Sequence, residues 1–194
     1  MLPKIQLLFL LLLVVKDAVL VHSSRYNFII NNVTCVSFTN IIKHLECEAS
    51  KVATNTYAYS GKIVFNKSIN KNYSLRYLFD ITTISKSKLL HFIDVKMNIC
   101  DAIKVRYDIP LLQKLVIEIR RTSNFPYQCP LQPNFSYTFK NLTFSDEFLN
   151  KFLPYFHFVQ HLNLYESDKI IAGLTTKGSL LPKTKTKINI KKLL

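Results

Sequence analysis

From Tyr73 to Ile81 large apolar residues recur at every second position: Tyr73, Leu75, Tyr77, Phe79 and Ile81, set against Ser74, Arg76 and Asp80. Successive side chains of an extended strand point to opposite faces. A period of two therefore predicts a strand with one face on a core and the other in water. The pattern recurs along the chain. Within Leu89–Cys100, Ile93, Val95, Met97 and Ile99 face one way and Asp94, Lys96 and Asn98 the other. Phe135, Tyr137 and Phe139 oppose Asn134, Ser136, Thr138 and Lys140; Phe156, Phe158, Leu162 and Leu164 mark a further strand, and 169–181 a last one. Upstream, Val33–Thr39 and Ile42–Ser50 read as a first antiparallel pair, and Thr56–Asn66 leads through a polar turn at 67–72 into the Tyr73 strand.

One segment departs from the pattern. Asp108 suits a helix N-cap, Pro110 the first helical turn, and Leu111, Leu112, Leu115 and Ile119 recur at helical spacing, which predicts a helix near 108–122. Short strands with a lone helix, in a single domain over 24–183, predict a mainly β fold: a two-sheet sandwich with one helical insertion.

Ahead of this body, Lys4 and the apolar run 7–15 give residues 1–22 the build of a secretory signal peptide, with cleavage expected between Ala18 and Ser24. The run is shorter than the roughly 20 residues a bilayer span requires, and an uncleaved signal anchor is the rival reading. No later segment is long and apolar enough to span, so an exported, extracellular protein is expected, not a transmembrane one.

Export accounts for the cysteines. An even count of four, with no Cys-x-x-Cys, argues for disulfides rather than metal or thiol chemistry. Three pairings are open. The spacing favours Cys35–Cys47, across two adjacent antiparallel strands, with Cys100–Cys129 closing the helical excursion at its base. Five Asn-x-Ser/Thr sequons, at Asn32, Asn66, Asn72, Asn134 and Asn141, predict N-glycosylation, and each occupied one must face solvent. Asn141 shares the parity of Phe139, so the strand ends or bulges there, or that sequon is empty.

The net charge of +14 comes mostly from lysines scattered along solvent faces, with a basic tail at 184–194 expected to be mobile. Behind a secretory leader, nucleic acid is not an expected partner. Anionic glycans, lipid head groups or acidic proteins suit such a surface, and its simplest role is solubility. Catalytic chemistry finds no constellation. His157 and His161 fall on the solvent-facing side of a strand without a third metal ligand. No nucleophile elbow, spaced triad or carboxylate pair is present, and with three glycines there is no phosphate-cradling loop. Neither an enzyme nor a cofactor is expected.

The run Cys129-Pro130-Leu131 followed by an alternating aromatic strand resembles the lipid-recognition ML superfamily, which includes the Niemann–Pick type C cholesterol-transfer protein and the mite group-two allergens. The chain more closely resembles the fly-expanded branch of small secreted proteins related to the CheA and CheB chemosensory proteins. The motifs are Phe38-Thr39-Asn40, Glu46-Cys47, a helix after Cys100, Ser123-Asn124-Phe125 before Cys129-Pro130, and Gly178 through Pro182-Lys183. Together they cover about 33–183. Only Pro154-Tyr155-Phe156 stands where that branch usually carries a Pro-x-x-Pro-x-Gly-x-Tyr-like turn, which puts the cavity entrance in question.

The resemblance implies an immunoglobulin-like sandwich whose sheets splay around a lipid or other small hydrophobic molecule, in gustatory or pheromone perception, with a membrane receptor as a further partner. The residues that would line such a cavity are Phe65, Tyr77, Phe79, Ile93, Val95, Met97, Tyr137, Phe139, Phe156 and Phe158, with Phe135 on the same inward parity. The same side chains could instead close on one another as a dry core. The chain would then be a secreted interaction module acting through an edge strand or its basic surface.

Overall fold

The computed structural model of the chain describes residues 26–84, 88–103, 110–145 and 154–183. The leader at 1–22, the tail at 184–194, the cap Asp108 and the side chains of Leu111 and Leu112 lie outside what it describes. The described residues are mainly β. Their strands are β1 (Tyr26–Ser37), β2 (Ile42–Ala53), β3 (Thr56–Phe65), β4 (Tyr73–Thr83), β5 (Leu89–Asn98), β6 (Ser136–Ser145), β7 (Phe156–Glu166) and β8 (Lys169–Pro182). Two helices, α1 (Ile99–Ala102) and α2 (Pro110–Thr122), interrupt them between β5 and β6. The strands form two antiparallel sheets, ordered β1-β8-β7-β4-β5 and β2-β3-β6, packed as a sandwich.

Alternation sets the interior. On the five-stranded sheet one inward row runs Val95, Tyr77, Leu162, Leu174, Cys35, and the next runs Ile93, Phe79, Gln160, Thr176, Val33. On the three-stranded sheet the facing rows are Cys47, Gly61, Phe139 and Ala49, Tyr59, Leu142. Buried aromatics carry much of this core, among them Phe28, Tyr57, Phe79, Phe156 and Phe158, with ring pairs such as Phe79–Phe158 at 5.5 Å. A second cluster gathers Phe65, Ile69, Tyr137, Leu131 and Ile171 around Cys100. The buried side chain of Asn55, in the β2–β3 turn, accepts from the Phe28 amide (3.0 Å) and donates to the Tyr26 carbonyl (2.7 Å), which ties one sheet to the edge of the other.

Three expectations need correction. First, β1 and β2 are not a hydrogen-bonded pair. The chain turns at 38–41 from one sheet into the other, so β1 pairs with β8 and β2 with β3. Cys35 and Cys47 both point between the layers, and their disulfide joins the two sheets at one edge, with Cα atoms 6.0 Å apart. Sheets packed face to face lie about 10 Å apart, so this edge is pinched shut. Second, β5 stops at Asn98. The Asn98 side chain accepts from the Cys100 amide (2.9 Å) as an N-cap, turning Ile99 and Cys100 into a helical turn. Third, Phe135 precedes β6 and is 44% exposed, its ring resting on Tyr137 at 4.8 Å.

The ambiguity at Asn141 resolves as a bulge. Phe139 opposes Gly61 and Leu142 opposes Tyr59, so Lys140 and Asn141 together stand opposite Ser60. Asn141 adopts φ 55°, a left-handed conformation that Asn tolerates, and its amide donates to Ser60 Oγ at 3.3 Å. The extra residue leaves Asn141 exposed while Leu142 and Phe144 continue the interior. Asn32, Asn66, Asn72 and Asn134 are exposed as well.

Candidate functional site

Away from the pinched edge the layers do not close. The smaller sheet ends at β6, whereas the larger extends beyond it to β5. Helix α2 occupies the place opposite β5 that a further strand would fill, and it turns Leu115, Val116 and Ile119 inward. Between them lies a cavity of about 290 Å³, near the low end of the roughly 300–1,000 Å³ usual for small-molecule sites. Its walls are Leu75, Tyr77, Val95, Met97 and Leu162 from the larger sheet and Tyr59, Phe139, Leu142 and Phe144 from the smaller. Tyr127, 62% exposed, marks its solvent side. A void of about 30 Å³ continues from it among Phe28, Phe79, Phe156 and Phe158.

Local chemistry explains why α2 stays over this opening. Cys129 is bonded to Cys100 beneath it, with Cα atoms 5.6 Å apart. Leu131, just past the cis Cys129–Pro130 peptide, exchanges backbone hydrogen bonds with Ile69 (2.8 and 3.1 Å), and both side chains are fully buried. At the far end of the helix, Asn124 docks on the free edge of β6. Its Oδ1 accepts from the Thr138 amide (2.7 Å), its Nδ2 donates to the Ser136 carbonyl (2.9 Å), and its own amide donates to the Thr138 carbonyl (3.1 Å). Edge groups that would otherwise be open to another chain are thereby satisfied.

Charge is nearly absent from the lining. Arg120 is its one charged side chain among the described residues; it donates to the Ile103 carbonyl (2.5 Å) and lies over the Tyr127 ring at 5.6 Å. The interior polar groups are neutral. Burial pushes the Tyr59 phenol up, an effect offset in part by the nearby Thr176 hydroxyl, and burial likewise pushes Tyr77 up. Thr176 is 1% exposed, and its Oγ1 forms no completed hydrogen bond.

The sequence-derived lining divides between different places. Tyr77, Val95, Met97 and Phe139 line the cavity, and Phe79, Phe156 and Phe158 line the small void beside it. Ile93 is packed in the core next to them. Phe65 and Tyr137 belong instead to the cluster around Cys100, where Phe125 stacks on Tyr137 at 5.2 Å. Sequence reasoning missed the α2 wall, the post-bulge residues Leu142 and Phe144, and the polar pair Gln160 and Thr176. The helical spacing of Leu115 and Ile119 displayed an apolar face without saying what it covers.

His157 and His161 lie on the outer face, where their Nδ1 atoms meet Ser179 Oγ (2.8 Å) and Thr175 Oγ1 (3.1 Å). Among the described residues no cluster of three or more metal-type side chains occurs, and no helix is long and apolar enough to cross a membrane.

Residues 75–159 match the model of a family described as a protein of unknown function (DUF1091). The matched segment runs from β4 into β7, so it includes α2, both cysteines of the Cys100–Cys129 bridge and much of the cavity wall. No curated protein matches the sequence.

Proposed function

We propose that this protein is an exported, non-catalytic binder of a lipid or other small hydrophobic molecule, held without covalent bonds between its sheets. The observation that carries the reading is the 290 Å³ cavity with a nearly uncharged lining. Removing an apolar ligand from water drives entry, at roughly 25 cal/mol for each Å² of apolar surface buried. The two disulfides suit an oxidising, extracellular compartment. A role in chemosensation, with delivery to a membrane receptor, rests on the motif resemblance centred on Cys129-Pro130-Leu131.

The test is native mass spectrometry of protein secreted with both disulfides intact. A bound hydrophobic compound, removed by organic extraction and taken up again on re-exposure, is expected. Protein that neither carries nor acquires any such compound would sink the proposal.

A second reading draws on edge strand β5, where Leu89, Leu90 and Phe92 are exposed. An unpaired edge with apolar side chains can accept a strand from a protein partner. Under it, Leu90→Lys abolishes partner binding and leaves ligand uptake intact.

A further inference from the structure

Apart from Arg120, Ser123 and Tyr127 on and just after α2, the polar side chains of the cavity gather around one buried place. Gln160 and Thr176 are direct cross-strand neighbours on β7 and β8, and both belong to inward-facing rows. Tyr59 reaches toward Thr176 from the opposite sheet. A threonine could be replaced here by the nearly isosteric valine if only packing mattered. Instead Thr176 carries a hydroxyl that is 1% exposed and completes no hydrogen bond, with the Tyr59 phenol beside it. A buried polar group in that state costs free energy unless something completes its bonding.

We infer that this trio receives the oxygen of the ligand, and that the ligand is an apolar molecule bearing one neutral oxygen function, a hydroxyl or carbonyl, inserted oxygen-first. This deepens the proposed function and rests on it. Three features set the class. The Thr176 hydroxyl, the Tyr59 phenol and the Gln160 amide each donate and accept, so they serve an alcohol or a carbonyl equally well. A plain hydrocarbon offers the Thr176 hydroxyl no hydrogen bond. A carboxylate would place its charge among neutral groups, since Arg120 is held against Ile103 and Tyr127 instead.

The test uses the full secreted protein loaded with a neutral naphthylamine dye, displaced in turn by dodecanol, dodecane and dodecanoate. Dodecanol is expected to compete about tenfold better than dodecane, the value of one completed buried hydrogen bond. Thr176→Val should erase that advantage, weakening dodecanol about tenfold and leaving dodecane within about twofold. Tyr59→Phe should reduce the advantage in the same direction, and it stands in if the Thr176 variant fails to fold. Equal competition by dodecanol and dodecane in the wild type overturns the inference, as does dodecanoate outcompeting dodecanol. Either result leaves cavity binding itself intact. Failure of the dye and all three compounds to bind overturns both the inference and the function on which it rests.

Discussion

Phe139 lies where a side chain on Gly61 would be: a Cβ built there would meet the Phe139 ring at 2.5 Å and the Glu46 carbonyl oxygen at 2.9 Å. The two residues are cross-strand partners on β3 and β6, and Phe139 is part of the cavity wall. Absence of a side chain at one position thus sets how far a ring on the next strand stands back from the cavity. Gly61→Ala is expected to destabilise the fold by about 1–3 kcal/mol, the usual cost of overpacking. It should also weaken dye binding by pushing the ring inward. Denaturant midpoints and dye titrations measure the two effects. The double variant Gly61→Ala/Phe139→Leu should recover part of the stability, and strict additivity would show that the contact does not matter.

Filling the cavity should separate binding from folding. Val116 projects into the space from α2, so Val116→Trp is expected to cut dye affinity at least about tenfold while moving stability by less than about 1.5 kcal/mol, because the bulk enters a void. Retained affinity in a folded variant would place ligand elsewhere.

The two disulfides should differ in consequence. Their sequence separations of 12 and 29 residues give each roughly 3–4 kcal/mol through the unfolded chain. Only Cys100–Cys129 tethers the excursion that carries α2. Replacing that pair with serines should lower both the unfolding midpoint and dye affinity. Replacing Cys35 and Cys47 should lower the midpoint with a smaller change in affinity, since that edge is remote from the helix. Equal loss of affinity in both variants would remove the special role of the excursion.

Three tyrosines should resist alkali. Burial, aided by the hydrogen bond to Glu166 at 2.8 Å, pushes the Tyr73 phenol up to about 12, and burial also raises Tyr59 and Tyr77. A phenol whose folded pKa exceeds the unfolded value of about 10 favours the neutral fold. That stability is complete below about pH 10 and fades as pH climbs through the folded values. Phenolate absorbance from these residues should therefore appear together with loss of the near-ultraviolet dichroism, and Tyr73→Phe should remove part of the alkaline loss of stability. Complete ionisation of every tyrosine in a still-folded protein would contradict the burial argument.

Periodicity made most strands legible, since inward and outward residues of β4, β5 and β7 follow directly from a repeat of two. It was weaker where a bulge changes the parity. After Phe139 the count slips by one at Lys140–Asn141, so Leu142 and Phe144 rejoin the interior although a strict alternation through Phe139 would place them outside. Pairing was not legible for a different reason. β1 and β2 are adjacent in sequence and both alternate, but alternation carries no information about which sheet a strand joins.

What the sequence determined by itself was local and compositional: a mainly β chain, a helix after Cys100, cysteines in even number, and a set of aromatic residues destined for an interior. Each follows from the preferences of a residue and its near neighbours. Tertiary structure alone decided that Cys35–Cys47 pins two sheets instead of one hairpin, that α2 stands over β5 as a wall, and that Tyr59, Gln160 and Thr176 meet from three strands in a largely apolar space. Those facts depend on residues far apart in the chain, brought together by the packing of two layers, and no local pattern encodes the distance between the layers.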